Sequence, residues 1–458
     1  MKNTVFSILT AAALIISVFV LPAQGNYNGS LEKDFYSDCA LLVSADRDEV
    51  VFSKNPDKQT KPASLTKVVT ACVVLEECPD ITASVTVPQK CIDELQGTGS
   101  SLGGLKGGEI LSVHDLLCCL LVQSANEAAT TLANFITGDD RQAFIDKMNA
   151  LAEKLGCLDS HFTNVHGLDD DDQYVTANDM AKIFKHAMEY SVFADIVSKA
   201  SYDLPATNLQ AERTIRTTNF TLLSGYKEYY CRYSIGGKTG TTSGAGSCLV
   251  SMASNDGYNY IAVALKAEKK DFDNDGVDEN GAFMDTQAMY DWAFENLRLV
   301  SIADSSAIVG EIPVKFGKGA DYVSLSPADT AFALMPKGID AGSLLIKPDK
   351  KTEPEFVHAP VEKGEVLCQG DIYYAGEVVT RIDLVASTEI RRSVLSSIGS
   401  AIARIFDSPV FRLIFIAAAD LLIVLIFLGR RRAQRAEKRE YNVVGYNDFV
   451  GKGKKNKR

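Results

Sequence analysis

Two apolar runs, one near each end, most restrict what this chain can fold into. The first extends from Val5 to Leu21, follows Lys2, and precedes small residues at Ala23 and Gly25. That is the layout of a secretory signal with cleavage after Gly25, so residues 1–25 are expected to be a signal peptide outside the fold. The second, Leu413 to Leu428, is apolar except for Asp420 and is followed at once by Arg430-Arg431-Arg432. It is slightly shorter than the roughly 20 residues a span requires. Val410 and Phe411 lengthen it if Arg412 snorkels to the interface, giving an expected transmembrane helix over 410–429. Basic residues mark the cytoplasmic end of a span. The chain therefore reads as outside, one span, then a basic cytoplasmic tail over 430–458. Asp420 is costly in lipid and is expected to face a partner helix.

Charge agrees with that topology. Eleven Lys and Arg against three Asp and Glu give Arg430–Arg458 a net +8; the whole chain carries −12, which leaves −20 upstream. The basic tail suits an anionic inner leaflet, and the acidic remainder excludes nucleic acid as a partner. With 458 residues, 46% hydrophobic and 23% charged, the chain has the material for two globular units rather than a disordered or multi-span protein. Ten cysteines form no C-x-x-C pair, which argues against a zinc or thioredoxin-type site. Cys72, Cys118 and Cys119 lie in apolar helical runs and read as buried free thiols.

Over 35–298 helical and strand patterns mix. Ala40 to Val43 and Val50 to Phe52 read as a strand pair around the turn Ala45-Asp46-Arg47-Asp48. A helix opens at Pro62, a Gly-rich loop spans Gly97 to Gly108, and helical runs follow at His114–Gln123, Asn126–Ile136 and Arg141–Leu155. Ser247 to Met252 and Tyr258 to Leu265 alternate on either side of Asn255-Asp256-Gly257, a hairpin signal. A helix over Asp285–Leu297 closes the unit. From 301 to 387 the runs are short, β-branched and punctuated by Gly, Pro and Asp, which predicts a small all-β domain. Apolar residues at 394, 395, 398, 402 and 405 predict an amphipathic juxtamembrane helix over 390–408.

Three short motifs carry chemistry. In Pro62-Ala63-Ser64-Leu65-Thr66-Lys67, Pro favours a first helical turn, and Ser64 and Lys67 share a helix face. A serine hydroxyl needs a neighbouring base, and a desolvated lysine of lowered pKa can serve. The helix N-terminus adds N–H groups suited to an oxyanion. Ser30-Leu31-Glu32-Lys33 and Ser224-Gly225-Tyr226-Lys227 match the same spacing, so the pattern alone is weak. Ser124-Ala125-Asn126 follows an apolar helical run; at a turn between helices Ser124 and Asn126 can both face a cleft, to relay a proton and hold a carbonyl. A helix-capping pair is the ordinary alternative, and Ser53-Lys54-Asn55 is a second match. Lys238-Thr239-Gly240 occurs once; a cation and hydroxyl at a strand edge suit a terminal carboxylate, and Gly240 lets a substrate backbone approach. All three in this order form the set of penicillin-binding proteins and serine β-lactamases.

The chain resembles the low-molecular-weight penicillin-binding proteins, the D-alanyl-D-alanine carboxypeptidases of peptidase family S11. Besides the motifs, Lys61 to Ala71, Leu116 to Ala129, Phe144 to Leu168 (ending His161-Phe162-Thr163-Asn164-Val165-His166-Gly167-Leu168), Gly237 to Gly246 and Ala359 to Gly364 carry the likeness. The resemblance implies an α+β, DD-peptidase/β-lactamase-like catalytic domain, with an antiparallel sheet flanked by helices plus a helical subdomain. The small β-domain and the membrane anchor follow it. It implies Ser64 as acylated nucleophile, Lys67 as base and Ser124 as a further catalytic group. Asn126, Lys238, Thr239, Gly240 and Thr241 would bind substrate, with the N–H groups of Ser64 and Thr241 as oxyanion hole. The implied substrate is a peptidoglycan pentapeptide, β-lactams are covalent inhibitors, and no cofactor or metal is required. Ala125 stands where many members have Gly, a change expected to matter little. The hydrophobic span replaces the amphipathic surface helix common in the family.

Other patterns were weaker. Asp271 to Gly276 begins like a calcium loop, but its twelfth position is Ala282 rather than a bidentate Glu. His161 and His166 with Asp169 lack a further ligand and read as structural. No G-x-S-x-G elbow supports a Ser-His-Asp hydrolase, and Gly103 to Gly107 lacks P-loop spacing. A β-lactamase would need neither β-domain nor anchor, and a non-catalytic wall scaffold would not need all three motifs.

Overall fold

The Asp256-Gly257 turn places both central residues at positive φ, 52° and 82°. This is the type I′ geometry that matches strand twist and closes a tight hairpin. It joins strands longer than their alternating cores: Gly246–Asn255 (β4) and Tyr258–Ala267 (β5). Ser37–Ser44 (β1) pairs with β5 and with Glu49–Lys54 (β2), and Ser234–Thr242 (β3) pairs with β4. The result is one antiparallel sheet in the order β2-β1-β5-β4-β3, with β3 at an edge. The structure, a computed structural model, describes residues 31, 34–272, 276–374, 376–393, 398 and 408–450. The expected signal peptide, most of the 390–408 helix and the end of the basic tail lie outside these residues.

Both faces of the sheet are covered, which is why its strands are apolar on alternate and intervening positions alike. Cys39, Leu41, Val250, Ile261 and Val263 join the larger core with the helices. Ala40, Leu42, Tyr260 and Ala262 pack on Met289, Tyr290 and Phe294 of Gly281–Asn296 (α6). On the larger side, Thr66–Glu77 (α1) is buried from Thr66 to Val74, the signature of a helix enclosed all round. It is packed by Val113–Leu121 (α2), Asn126–Thr137 (α3), Arg141–Lys154 (α4) and Ala177–Glu189 (α5). Each fully buried Val, Leu or Phe here contributes ~1.5–3 kcal/mol. The helix α2 begins at a capping box between Ser112 and Asp115. All ten cysteines are buried and unpaired.

The chain divides into two compact units. The first holds the described residues to Ser305 with Asp329–Lys347 and Gln369–Ile382; the second holds Ser306–Ala328, Pro348–Cys368 and the described residues from Asp383. In the first, Leu297–Ala303 pairs antiparallel with Ala331–Pro336. In the second, Gly310–Lys315 pairs antiparallel with Tyr322–Pro327 and parallel with Val357–His358. The expected β character of 301–387 is present as these strands together with Leu344–Pro348, Val366–Tyr374 and Glu377–Ala386. The last helix, Pro409–Val450 (α7), contains within Pro409–Arg435 an 18-residue apolar window, none of it buried. It is the one helix among the described residues long and apolar enough to cross a membrane.

Candidate active site

The turn Pro62-Ala63-Ser64 delivers a serine to the mouth of α1. Ala63 sits at φ 47°, a left-handed conformation that non-glycine residues rarely adopt, and a 3-10 turn over Ala63–Leu65 then leads into α1. Thr66 Oγ1 donates to Ala63 O at 2.9 Å. A second glycine-bearing loop braces the turn: Gly167 has φ +92°, and a Cβ there would lie 1.9 Å from Ala63 O. Only a glycine allows this approach. From the sheet, Gly240 approaches the same turn less closely, with the position of a Cβ 3.0 Å from Ser64 N. The nucleophile candidate is thus wedged between the 161–174 loop and the edge strand β3.

Lys67 follows one turn later on the same helix face. Its Nζ lies 2.8 Å from Ser64 Oγ and donates to His166 O at 2.6 Å. Burial lowers its pKa well below the usual lysine value; the charge of Lys238 lowers it further and that of Glu127 opposes. A lysine so placed has the neutral form a base needs. Burial also depresses His166, to about 3, with the charge of Lys67 adding to the effect. Its imidazole is neutral and its contribution to Lys67 is through the backbone carbonyl.

Ser124 occupies the corner between α2 and α3 at φ 64°. The corner is held by Ala125 N donating to Cys119 O and by Asn126 N donating to Ser101 O, both at 3.0 Å. Lys238, on β3 and 1% exposed, reaches across to donate to Ser124 Oγ at 3.0 Å and to Thr239 O at 2.8 Å. Burial brings it down to about 7. Asn126 is buried, and its Oδ1 has no hydrogen-bond partner among the described residues. Such an acceptor suits a substrate N–H. Thr239 Oγ1 lies 2.5 Å from Thr218 Oγ1. Thr241, two residues on, pairs with Ser247 of β4 and is exposed.

The structure therefore brings Ser64, Lys67, Ser124, Asn126, Lys238, Thr239 and Gly240 together at one site, through the Ser64–Lys67 and Ser124–Lys238 hydrogen bonds and the approach of Gly240 to Ser64. The rival matches lie elsewhere: Ser224 and Lys227 are exposed in a turn, and Lys54 donates to Phe35 O and Ser37 O. Ser30 and Lys33 fall outside the described residues. His161 pairs with Tyr174 through its backbone, and Asp169 accepts from Thr242 Oγ1 and Gly244 N, tying the 161–174 loop to the β3–β4 turn. Motif reading missed Thr218, Gly167 and Glu127. Thr218 lies just past the strand Arg213–Arg216, and its N donates to Val122 O. No spacing within the sequence marks it.

Residues 27–269 match the family model described as Peptidase_S11, D-alanyl-D-alanine carboxypeptidase. The D-alanyl-D-alanine carboxypeptidase DacF of Bacillus subtilis is 25% identical over 354 residues, 77% of this chain and 86% of that protein. DacB2 of Mycobacterium tuberculosis is 30% identical over 260 residues, 56% of this chain and 81% of that one. Among solved structures, penicillin binding protein 5 of Haemophilus influenzae superposes with a TM-score of 0.63 at 24% identity, covering 79% of this chain and 99% of that one. The Streptomyces K15 DD-transpeptidase reaches 0.52 at 27% identity, covering 57% and 98%.

Proposed function

The chain belongs to the peptidase S11 family of D-alanyl-D-alanine carboxypeptidases, a serine peptidase family of peptidoglycan metabolism, and on that premise we propose that it removes the terminal D-alanine of stem peptides through an acyl-enzyme on Ser64. Neutral Lys67 takes the Ser64 proton as Oγ bonds to the carbonyl carbon between the two D-alanines. The carbonyl oxygen takes up negative charge facing the N–H groups of Ser64 and Thr241. As the C–N bond breaks, the leaving nitrogen needs a proton, which Ser124, hydrogen-bonded to Lys238, relays. Water then hydrolyses the ester. Lys238, Thr239 and Thr218 hold the substrate carboxylate, Asn126 holds the amide backbone, and Gly240 leaves room for it.

The observation that carries this reading is the fully buried Lys67 with its Nζ 2.8 Å from Ser64 Oγ. An ordinary exposed lysine would be protonated and inert as a base at neutral pH. A strained β-lactam amide acylates the same serine and leaves slowly. The 410–429 segment of α7 anchors the chain in the cell membrane by a single pass, with catalytic domain 35–298 and β-domain 301–387 on the extracytoplasmic face and the 430–458 tail in the cytoplasm. The tail's basic excess supports that orientation.

The test uses the full-length protein in detergent beside Ser64→Ala, with a D-Ala-D-Ala pentapeptide, a fluorescent penicillin and an added amine acceptor. D-Alanine release and stable label, both lost in the variant, are expected. Transfer to the amine in place of hydrolysis would make it a transpeptidase, and rapid nitrocefin turnover a β-lactamase. A folded protein that neither releases D-alanine nor takes label would overturn the reading.

A further inference from the structure

Glu127 stands directly after the Ser124-Ala125-Asn126 corner, in the first turn of α3, where an acidic residue is ordinarily a solvated partner of the helix dipole. Here it is 1% exposed. Its Oε1 accepts from Gly103 N at 2.6 Å and Leu105 N at 3.3 Å. Its Oε2 is buried with no hydrogen-bond partner among the described residues. The Gly103–Leu105 segment it holds lies directly on the corner: a Cβ on Gly103 would stand 2.8 Å from Ala125 Cβ. Burying a carboxylate without satisfying both oxygens is costly, and holding a loop requires only one of them.

We propose that Glu127 is a positioning residue for the acyl-transfer chemistry, one oxygen fastening the Gly103–Leu105 segment over the Ser124–Asn126 corner while the buried charge stabilises the ammonium that Lys67 becomes on taking the Ser64 proton. The assignment rests on the acyl-enzyme reading above and adds a group to it. Proton transfer from Ser64 Oγ to Lys67 Nζ creates a second buried cation beside Lys238, and the carboxylate offsets it. Helix α3 packs directly on α1, which carries Lys67, and among the described residues the charged groups acting on Lys67 are Lys238 from β3 and Glu127 from α3. His166 faces it from the 161–174 loop through a carbonyl, with a ring held neutral by burial and by the charges of Lys67 and of Arg141 from α4. Glu127 is thus the carboxylate that acts on the base, through an interior where charge is poorly screened.

A loop tether alone would have the same hydrogen bonds, so the test separates tether from charge. Glu109 provides the control. It is fully buried and accepts from Lys106 N, Thr207 Oγ1, Gln210 Nε2 and Arg213, holding the same loop, and it is not among the charges acting on Lys67. Second-order rates of penicillin acylation are measured against pH for the full chain, Glu127→Gln, Glu127→Asp and Glu109→Gln, with melting temperatures alongside. Neutral Lys67 is the competent form, so the rate rises with pH through its pKa. In E127Q, whose amide oxygen still accepts the loop N–H groups, that rise moves to lower pH, and the plateau rate falls about tenfold, a fraction of the 10²–10⁴ general-base catalysis provides. E127D keeps the charge and the midpoint even where E127Q folds poorly, and E109Q leaves the midpoint in place. An unchanged midpoint and plateau in E127Q, or an equal shift in E109Q, would reduce Glu127 to a tether. A wild-type chain that no penicillin labels would instead remove the acyl-enzyme reading, and this assignment with it.

Discussion

Replacing Gly167 by alanine tests how the nucleophile turn is held. The added methyl would stand 1.9 Å from Ala63 O, 2.4 Å from Ala63 C and 3.0 Å from Ser64 N. These are backbone atoms, so no side chain can rotate away. Opening the closest contact from 1.9 Å to 3.0 Å moves one backbone by about 1.1 Å. Overpacking of this kind costs typically 1–3 kcal/mol, and holding alanine at φ +92° adds about 1–2 kcal/mol. A total of roughly 2–5 kcal/mol follows. A displacement near 1 Å at the reacting atom costs on the order of 10²-fold in rate. Gly138→Ala is the control without a clash: at φ +65° and ψ −134° it carries backbone strain of about 1–3 kcal/mol, but nothing lies within 4 Å of the added methyl. Thermal melts and penicillin acylation rates are measured on both variants in the full chain. G138A is expected to melt a few degrees lower with an unchanged rate, and G167A to lose about 10²-fold in acylation beyond its loss of stability. A folded G167A that acylates within twofold of wild type would refute the claim that the 161–174 loop sets the position of Ser64.

The same geometry makes further outcomes measurable. The KM for a substrate with a terminal carboxylate should rise with pH as Lys238 deprotonates around 7, because a neutral Lys238 no longer attracts the carboxylate, while the acylation rate should follow a Lys67 titration displaced below that of an ordinary lysine; a KM flat from pH 6 to 9 would contradict the role given to Lys238, and a Lys67 titration in the ordinary lysine range would contradict its role as base. Thr218→Val removes one hydroxyl from the Thr239 pair, and a rise in KM of about three- to tenfold with kcat nearly unchanged is expected from one hydrogen bond. A pure kcat effect would place Thr218 elsewhere in the cycle. All ten cysteines being buried and unpaired, a thiol reagent should modify the native chain at less than one equivalent and the denatured chain at ten; fewer than ten after denaturation without reductant would reveal disulfides.

What the sequence disclosed follows the range of the interactions involved. Ser64 and Lys67 were legible because one helical turn brings them together, and Lys238-Thr239-Gly240 because the triplet occurs once, just ahead of the β4–β5 hairpin. The helix Ala177–Glu189 went unread although Thr176 caps it through Asp179 N and Met180, Ile183, Phe184 and Ala187 form its buried face. The closing helix begins at Gly281 rather than Asp285, since Asn280 caps it through Ala282 N, a local signal that the apolar period alone does not show. His166, Gly167 and Glu127 act through backbone atoms or across space. Lys67 and His166 are 99 residues apart, and the group that matters is a carbonyl every residue possesses. Thr218 meets Thr239 only because β3 is an edge strand beside the segment that follows Arg213–Arg216. Residue types at fixed spacing cannot encode contacts of this kind.

The central claim is that Ser64 forms the acyl bond. Mass spectrometry of the full-length protein after brief exposure to a penicillin, with the modified peptide sequenced, tests it directly. The account requires one adduct per chain, on the peptide carrying Ser64, absent from Ser64→Ala and strongly slowed in Lys67→Ala. An adduct on any other residue, or full labelling of Ser64→Ala, would contradict it.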